Sequence, residues 1–143
     1  MTETAKIRIL IADDFKFLRD VIRLYLERAE DMDVVDEAPD LDDALERTKV
    51  LQPDVILMND YLPPVDSAHA AALFRAQGIP AAILTISMKA ESDLIHRSFR
   101  SGINGFIQKD EIDEYLVDAI RSVHRGERYL SPKARESDGS LAA

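Results

Sequence analysis

Residues 53–67 read PDVILMNDYLPPVDS, and the fold turns on this stretch. Val55-Ile56-Leu57-Met58 is a short continuous apolar run with Pro53 before it and Pro63-Pro64 after it. That length and punctuation suit a fully buried strand. The run ends in Asn59 and Asp60, an amide and a carboxylate delivered side by side to a turn. Buried strands with polar ends are what a parallel sheet needs when its strand ends line a site.

Outward from this strand the alternation repeats. On the N-terminal side Ile7-Arg8-Ile9-Leu10-Ile11-Ala12 reads as a strand, and Leu18, Val21, Ile22 and Tyr25 follow at helical spacing. Val34-Val35 marks a weaker, β-branched strand leading to a helix with Asp40 as N-cap and Asp43 three residues on. On the other side come an alanine-rich helix near 67–77, a strand over 81–86, and a helix from about Glu91 to Gly102, a residue suited to a helix end. A short strand over 104–108 precedes the last helix, whose Ile112, Tyr115, Leu116, Ala119, Ile120 and Val123 form one apolar stripe.

Consecutive βα units imply a parallel sheet covered by helices on both faces, because each parallel connection must cross over. The expectation is an α/β fold: a doubly wound five-stranded parallel sheet of flavodoxin-like order 2-1-3-4-5. One domain over 1–130 is expected. From Ser131 the sequence SPKARESDGSLAA has no apolar periodicity, so 131–143 reads as a linker remnant or tail whose last residues could be a cloning remnant.

Composition narrows the function. A chain of 143 residues is large enough for a single core. It has no cysteine, which excludes disulfides and thiolate metal sites and suits the cytoplasm. The opening MTETAKIRIL lacks the order of a signal peptide, and no apolar run approaches the roughly 20 residues of a membrane span. A net charge of −9 disfavours contact with a phosphate backbone. The acidity reads either as a solvated surface or as acids gathered in a site.

In such a sheet ligands bind beyond the carboxyl ends of the strands, near the reversal of strand order. Placed there are Asp13 and Asp14, Asn59 and Asp60, Thr85 and Ser87, and Lys109 and Asp110. Converging carboxylates suit a hard cation such as Mg²⁺, lysine can neutralise a phosphoryl group, and a threonine hydroxyl can donate to it. Each has a plainer reading: a helix cap for an aspartate, packing for Thr85, a surface position for Lys109. Asp66 and Ser67 read as turn and N-cap. His69, His96 and His124 lie in separate helices without metal-site spacing and are expected at the surface.

With these residues assembled, the chain resembles a bacterial two-component response-regulator receiver domain, CheY-like, over about 6–130. The matching pieces are ILIADD (9–14), PDVILM (53–58), LPPVD (62–66), ILTIS (83–87) and GFIQKD (105–110). GERYLSP (126–132) is similar to the receiver-to-linker boundary of the LuxR/NarL-type transcription factors, whose C-terminal helix-turn-helix is absent here. The resemblance implies phosphoryl transfer from a sensor histidine kinase to a strand-three aspartate in the presence of Mg²⁺. It matches Asp13 and Asp14 to the acidic pair that holds the metal, Tyr61 to the backbone carbonyl offered to it, and Thr85 to the switch hydroxyl. Lys109 matches the phosphoryl-contacting lysine and Phe106 the aromatic that changes rotamer. It further implies a non-enzymatic protein, a homodimer through helix 4–strand 5–helix 5 or a face including helix 1, and DNA contact only through the missing domain.

The phosphoacceptor position falls on Asn59, which would also weaken Mg²⁺. An amide oxygen is a poor nucleophile, whereas an ionised aspartate can become an acyl phosphate. Asp60 is the substitute at hand, but neighbouring strand residues point to opposite faces, so it should aim away from Asp13, Asp14 and Lys109. The otherwise complete site favours an engineered Asp→Asn replacement. The alternatives are an atypical receiver that signals as an interaction module, and an aspartate-dependent phosphatase, which would leave GERYLSP unexplained.

Overall fold

The computed structural model describes residues 5–138. Six parallel strands form one sheet: β1 (Ile7–Ala12), β2 (Met32–Ala38), β3 (Val55–Asn59), β6 (Ala82–Ser87), β7 (Gly105–Gln108) and β8 (Tyr129–Leu130), in the order β2-β1-β3-β6-β7-β8. The expected five-strand order is present, and the short β8 extends it along β7. Two further short strands, β4 (Tyr61–Leu62) and β5 (Val65–Asp66), pair antiparallel as a small hairpin after β3. The helices are α1 (Lys16–Glu27), α2 (Leu41–Leu51), α3 (Ser67–Ala76), α4 (Ser92–Ser101), α5 (Ile112–His124) and α6 (Pro132–Asp138), with a 3₁₀ turn at Lys109–Glu111.

Alternation along the strands divides the core. Ile56, Met58, Ile83 and Phe106 face a cluster with Ala44, Phe74, Ile95 and Ala134, from α2, α3, α4 and α6. Ile9, Ile11, Val55, Leu57, Leu84, Ile86 and Ile107 face the other side, against Leu18, Ile22 and Leu26 of α1 and Leu116 and Ile120 of α5. Helix ends follow local chemistry. Asp40 caps α2 by accepting from Asp43 N at 2.9 Å, and Asp66 caps α3 by accepting from His69 N at 2.9 Å. Gly102 ends α4 at φ +116°, a left-handed conformation glycine adopts without steric cost.

The reading of 131 onward as patternless is corrected here. Pro132–Asp138 is helical and packs on α4, with Ala134 fully buried and Asp138 nearly so. A helix of this length that buries residues only one turn apart leaves no stripe for periodicity to detect. His96 is correspondingly half-buried and contacts Asp138. Residues 1–4 and 139–143, on which the readings of the leader and of a cloning remnant partly rest, lie outside the described residues. Among the described residues no helix is long and apolar enough to cross a membrane.

Candidate functional site

The candidate site is built on the carboxyl ends of β1, β3, β6 and β7. Alternation carries Asp13, Asn59 and Lys109 past their strand ends on the side of the sheet covered by α1 and α5. Asp13 is 2% exposed. Its Oδ1 accepts from Phe15 N at 2.8 Å, and its carbonyl accepts from Arg19 Nη1 at 2.5 Å. It therefore closes a tight turn without capping α1, whose N-cap is Phe15 with no side-chain cap. Burial pushes the Asp13 carboxyl up to about 6, against the Phe15 N–H; neighbouring Asp14 raises it further, while Lys109 and Arg19 act in the opposite direction. Asp14 is exposed. Lys109 is half-buried, near enough for its charge to act on Asp13, and makes no hydrogen bond or ion pair among the described residues.

Asn59 closes β3. Its Nδ2 donates to the Tyr61 carbonyl at 3.2 Å, while its Oδ1 is buried with no partner. Asp60 goes the other way: its Oδ2 accepts from Ser87 Oγ at 2.8 Å, on the parity of the α3–α4 side, and its backbone bonds both Ile86 O and Ser67 N. Thr85 is fully buried, Oγ1 has no hydrogen-bond partner, and its register partner on β7 is Phe106, itself fully buried.

The oxygens here are those of a hard cation's donor set: the Asp13 and Asp14 carboxylates, the unpartnered Asn59 Oδ1 and the Tyr61 carbonyl. They fit Mg²⁺ in kind, with less charge than three carboxylates would supply. Among the described residues no three His, Cys, Asp or Glu side chains cluster as a metal site, and the third position of this set is the Asn59 amide.

Sequence reasoning placed Ser87 and Asp110 at their strand ends but missed Gln108 and the partners through which these residues brace the site. Gln108 Oε1 accepts from Ala90 N in the loop before α4, and Gln108 Nε2 donates to Asp110, both at 3.0 Å. Ser87 donates its hydroxyl proton to Asp60 and accepts from Lys89 N at 3.4 Å. Nothing in apolar periodicity marks such polar cross-links. The signal available was position: each adjoins a strand end.

Comparison with known proteins agrees with this arrangement. Residues 9–121 match the response regulator receiver domain family. The chain is 34% identical over 131 residues to the oxygen regulatory protein NreC of Staphylococcus carnosus, covering 91% of this chain and 60% of that protein. It thus spans about three-fifths of the length of the curated relatives it matches. A LuxR-family two-component response regulator from Aurantimonas superposes with a TM-score of 0.90 at 28% identity, covering 96% of this chain and 99% of that one. The signal receiver domain of the putative response regulator NarL from Mycobacterium tuberculosis gives 0.74 at 31% identity, covering 82% and 98%. This chain belongs to the response regulator receiver domain family, among homologues of the NarL/LuxR type.

Proposed function

We propose that this chain is the receiver of a signalling protein whose phosphoacceptor position carries Asn59, so that it takes no phosphoryl group there. One observation carries the reading: Asn59 ends β3 beside Tyr61, while the adjacent carboxylate, Asp60, is held by Ser87 on the other parity of the sheet. The natural partner is a sensor histidine kinase, and Mg²⁺ would be held by Asp13, Asp14, Asn59 Oδ1 and the Tyr61 carbonyl. When bound, the ion would neutralise charge on a phosphoryl group. Lys109 would contact that group and Thr85 would donate to it. The curated relatives run beyond the matched stretch, and the proposed output is through a C-terminal DNA-binding domain. The intact remainder of the site favours Asn59 as a replacement for aspartate.

A second reading has its own support. The Asn59–Tyr61 hydrogen bond ties the strand end without a metal, which suits a receiver that works as an interaction module without phosphorylation.

Incubation with acetyl phosphate and Mg²⁺, followed by intact mass, tests both. The unaltered chain should gain nothing, and Asn59→Asp should gain one phosphoryl group labile to hydroxylamine. Removing Lys109 or Asp14 in that background should diminish the gain. Phosphorylation of the unaltered chain, abolished by Asp60→Asn, would overturn the first reading. Failure of Asn59→Asp to react would leave the interaction module in the lead. Steady hydrolysis of a phosphate ester would favour the phosphatase.

A further inference from the structure

Asp13 is held from three directions. Its N–H donates to Ala38 O, at the end of β2, at 3.0 Å; its Oδ1 accepts from Phe15 N at 2.8 Å; its carbonyl accepts from Arg19 Nη1 at 2.5 Å. Its Oδ2 makes no hydrogen bond among the described residues. Arg19 N donates in turn to Phe15 O at 3.2 Å, so Asp13, Phe15 and Arg19 close a ring of hydrogen bonds that joins the turn after β1 to the first turn of α1.

The guanidinium in that ring is itself fixed. Arg19 Nε donates to Glu37 Oε1 at 2.8 Å, and Glu37 Oε2 accepts from Arg23, one turn further along α1, through Nε at 3.0 Å and Nη2 at 2.6 Å. Glu37 lies beside Ile11 in register and directly precedes Ala38, the residue that takes the Asp13 N–H. The end of β2 thus grips Asp13 twice, directly through Ala38 and indirectly through Glu37 and Arg19. The two arginines differ in reach. Arg19 is the inner one, its side chain 14% exposed against 36% for Arg23, and of the two it is the one that spans from Glu37 to Asp13. That span needs two N–H groups set in a fork, which arginine has and lysine lacks.

We propose that Arg19 is a positioning residue for the cation at the strand ends: it fixes the Asp13 carbonyl from α1, with Glu37 setting the angle of the guanidinium, and so fixes how the remaining Asp13 oxygen is offered. Mg²⁺ demands short bonds in near-octahedral geometry, so a small rotation of one carboxylate is felt in its affinity, whereas Ca²⁺ accepts irregular sets of oxygens. Groups that orient a metal's ligands from behind contribute strongly to its affinity. With the Asn59 amide supplying no charge, the orientation of Asp13 matters the more. That the cation is Mg²⁺ rests on the receiver reading above; the tether of Asp13 to Arg19 does not.

Mg²⁺ and Ca²⁺ titrations of the chain, followed through the ¹⁵N amide shifts of Asp13 and Asn59, test this. Arg19→Lys keeps the charge and loses the fork. It should weaken Mg²⁺ about tenfold and Ca²⁺ by about threefold or less. Arg23→Lys, whose parent side chain touches Glu37 and not Asp13, should leave both cations within about twofold. Unchanged Mg²⁺ affinity in Arg19→Lys would overturn the proposal. So would an equal loss for the two cations, the mark of a change in field without a change in position, or an equal loss in Arg23→Lys. Should Arg19→Lys melt as an unfolded chain, Glu37→Gln decides, because it loosens the guanidinium and leaves the Asp13 bond in place: Mg²⁺ about threefold weaker with Ca²⁺ unmoved supports the proposal, and no change overturns it. If the unaltered chain takes up neither cation, the same variants are titrated in Asn59→Asp. No binding there sinks the Mg²⁺ reading itself, and the Phe15 amide, donor to Asp13 Oδ1, then decides the tether. It should exchange with solvent faster in Arg19→Lys than in Arg23→Lys, and equal exchange overturns the role given to Arg19.

Discussion

The Asn59 side-chain nitrogen donates to the Tyr61 carbonyl at 3.2 Å, so an amide meets at this strand end the acceptor that the receiver resemblance gives to a metal. The other end of the same amide is buried without a partner. Asn59 thus closes the loop after β3 with its donor and leaves its acceptor buried and unpartnered, on the same side of the sheet by strand parity as Asp13.

Asn59→Asp should therefore be costly in the apo protein. It removes the donor to Tyr61, a loss of about 1 kcal/mol, and adds a carboxylate beside the acidic pair. The aspartate form should melt below the unaltered chain without Mg²⁺ and gain more from added Mg²⁺, since a ligand stabilises the state that binds it. Thermal melts of both proteins with and without the ion check this. Equal melting and an equal response would show that position 59 does not face Asp13 and Asp14.

The Ser87–Asp60 bond supplies the second prediction. Ser87 is nearly fully buried, and its hydroxyl donates to a carboxylate, the stronger kind of hydrogen bond. Ser87→Ala should destabilise by about 1–3 kcal/mol. Asp60→Asn should be milder, because an amide oxygen still accepts. A double-mutant cycle by urea unfolding should give a coupling of about 0.5–2 kcal/mol. Additive effects would mean that the two side chains do not share a bond, and the argument that Asp60 is held away from the site would lose its support.

Most of the sheet was legible because its strands are buried on both faces. Val55–Met58 is an unbroken apolar run and Ile7–Ala12 is interrupted only by Arg8, and parallel topology follows from alternating them with amphipathic helices such as α5. β2 was seen only as Val34-Val35, because this edge strand carries Asp33, Asp36 and Glu37 on its half-exposed length. β8 and α6 were missed because Leu130 and Ala134 are single apolar residues that gain burial only by reaching the β7–α4 edge. At the site, the residue types at the strand ends were legible; their partners were not. That Asp60 turns to Ser87, or that Gln108 ties Ala90 to Asp110, depends on loops brought together from distant sequence.

Arg75 shows a polar hub of that kind, and it yields the third prediction. From α3 its guanidinium donates to Gly102 O through Nε and Nη2, to Ile79 O and Ala81 O through Nη1, and to Asn104 Oδ1 through Nη2. It fastens the end of α3 to the turn between α4 and β7. Lysine has one nitrogen and no fork, so Arg75→Lys cannot meet these acceptors together. The substitution should cost about 2–3 kcal/mol in urea unfolding, with charge unchanged. A cost below about 0.5 kcal/mol would show that water replaces the guanidinium freely.

Asp66 gives the pH dependence. It caps α3 through His69 N, contacts His69 Nδ1 at 2.8 Å and accepts from Arg97 Nη1 at 2.9 Å, tying α3 to α4. Partial burial alone would raise its pKa, but the His69 N–H, the His69 ring and the Arg97 guanidinium outweigh burial and hold the carboxyl at about 2, below its ordinary 3.8. A depressed carboxyl stabilises the fold at pH above its unfolded value, and that contribution is lost as pH falls through the folded value. Asp66→Asn keeps a good N-cap residue and removes the charge. The difference in unfolding free energy between the unaltered chain and Asp66→Asn should then be level from about pH 7 to 5 and shrink between about pH 4 and 2. Because the side chain is 32% exposed, the level part should be modest, about 1 kcal/mol. Other carboxylates acidify in both proteins, so the difference between the two urea curves is the measurement. A difference that grows on acidification would mean that Asp66 is destabilised as a carboxylate, and the contacts to His69 and Arg97 would not be what holds α3 to α4.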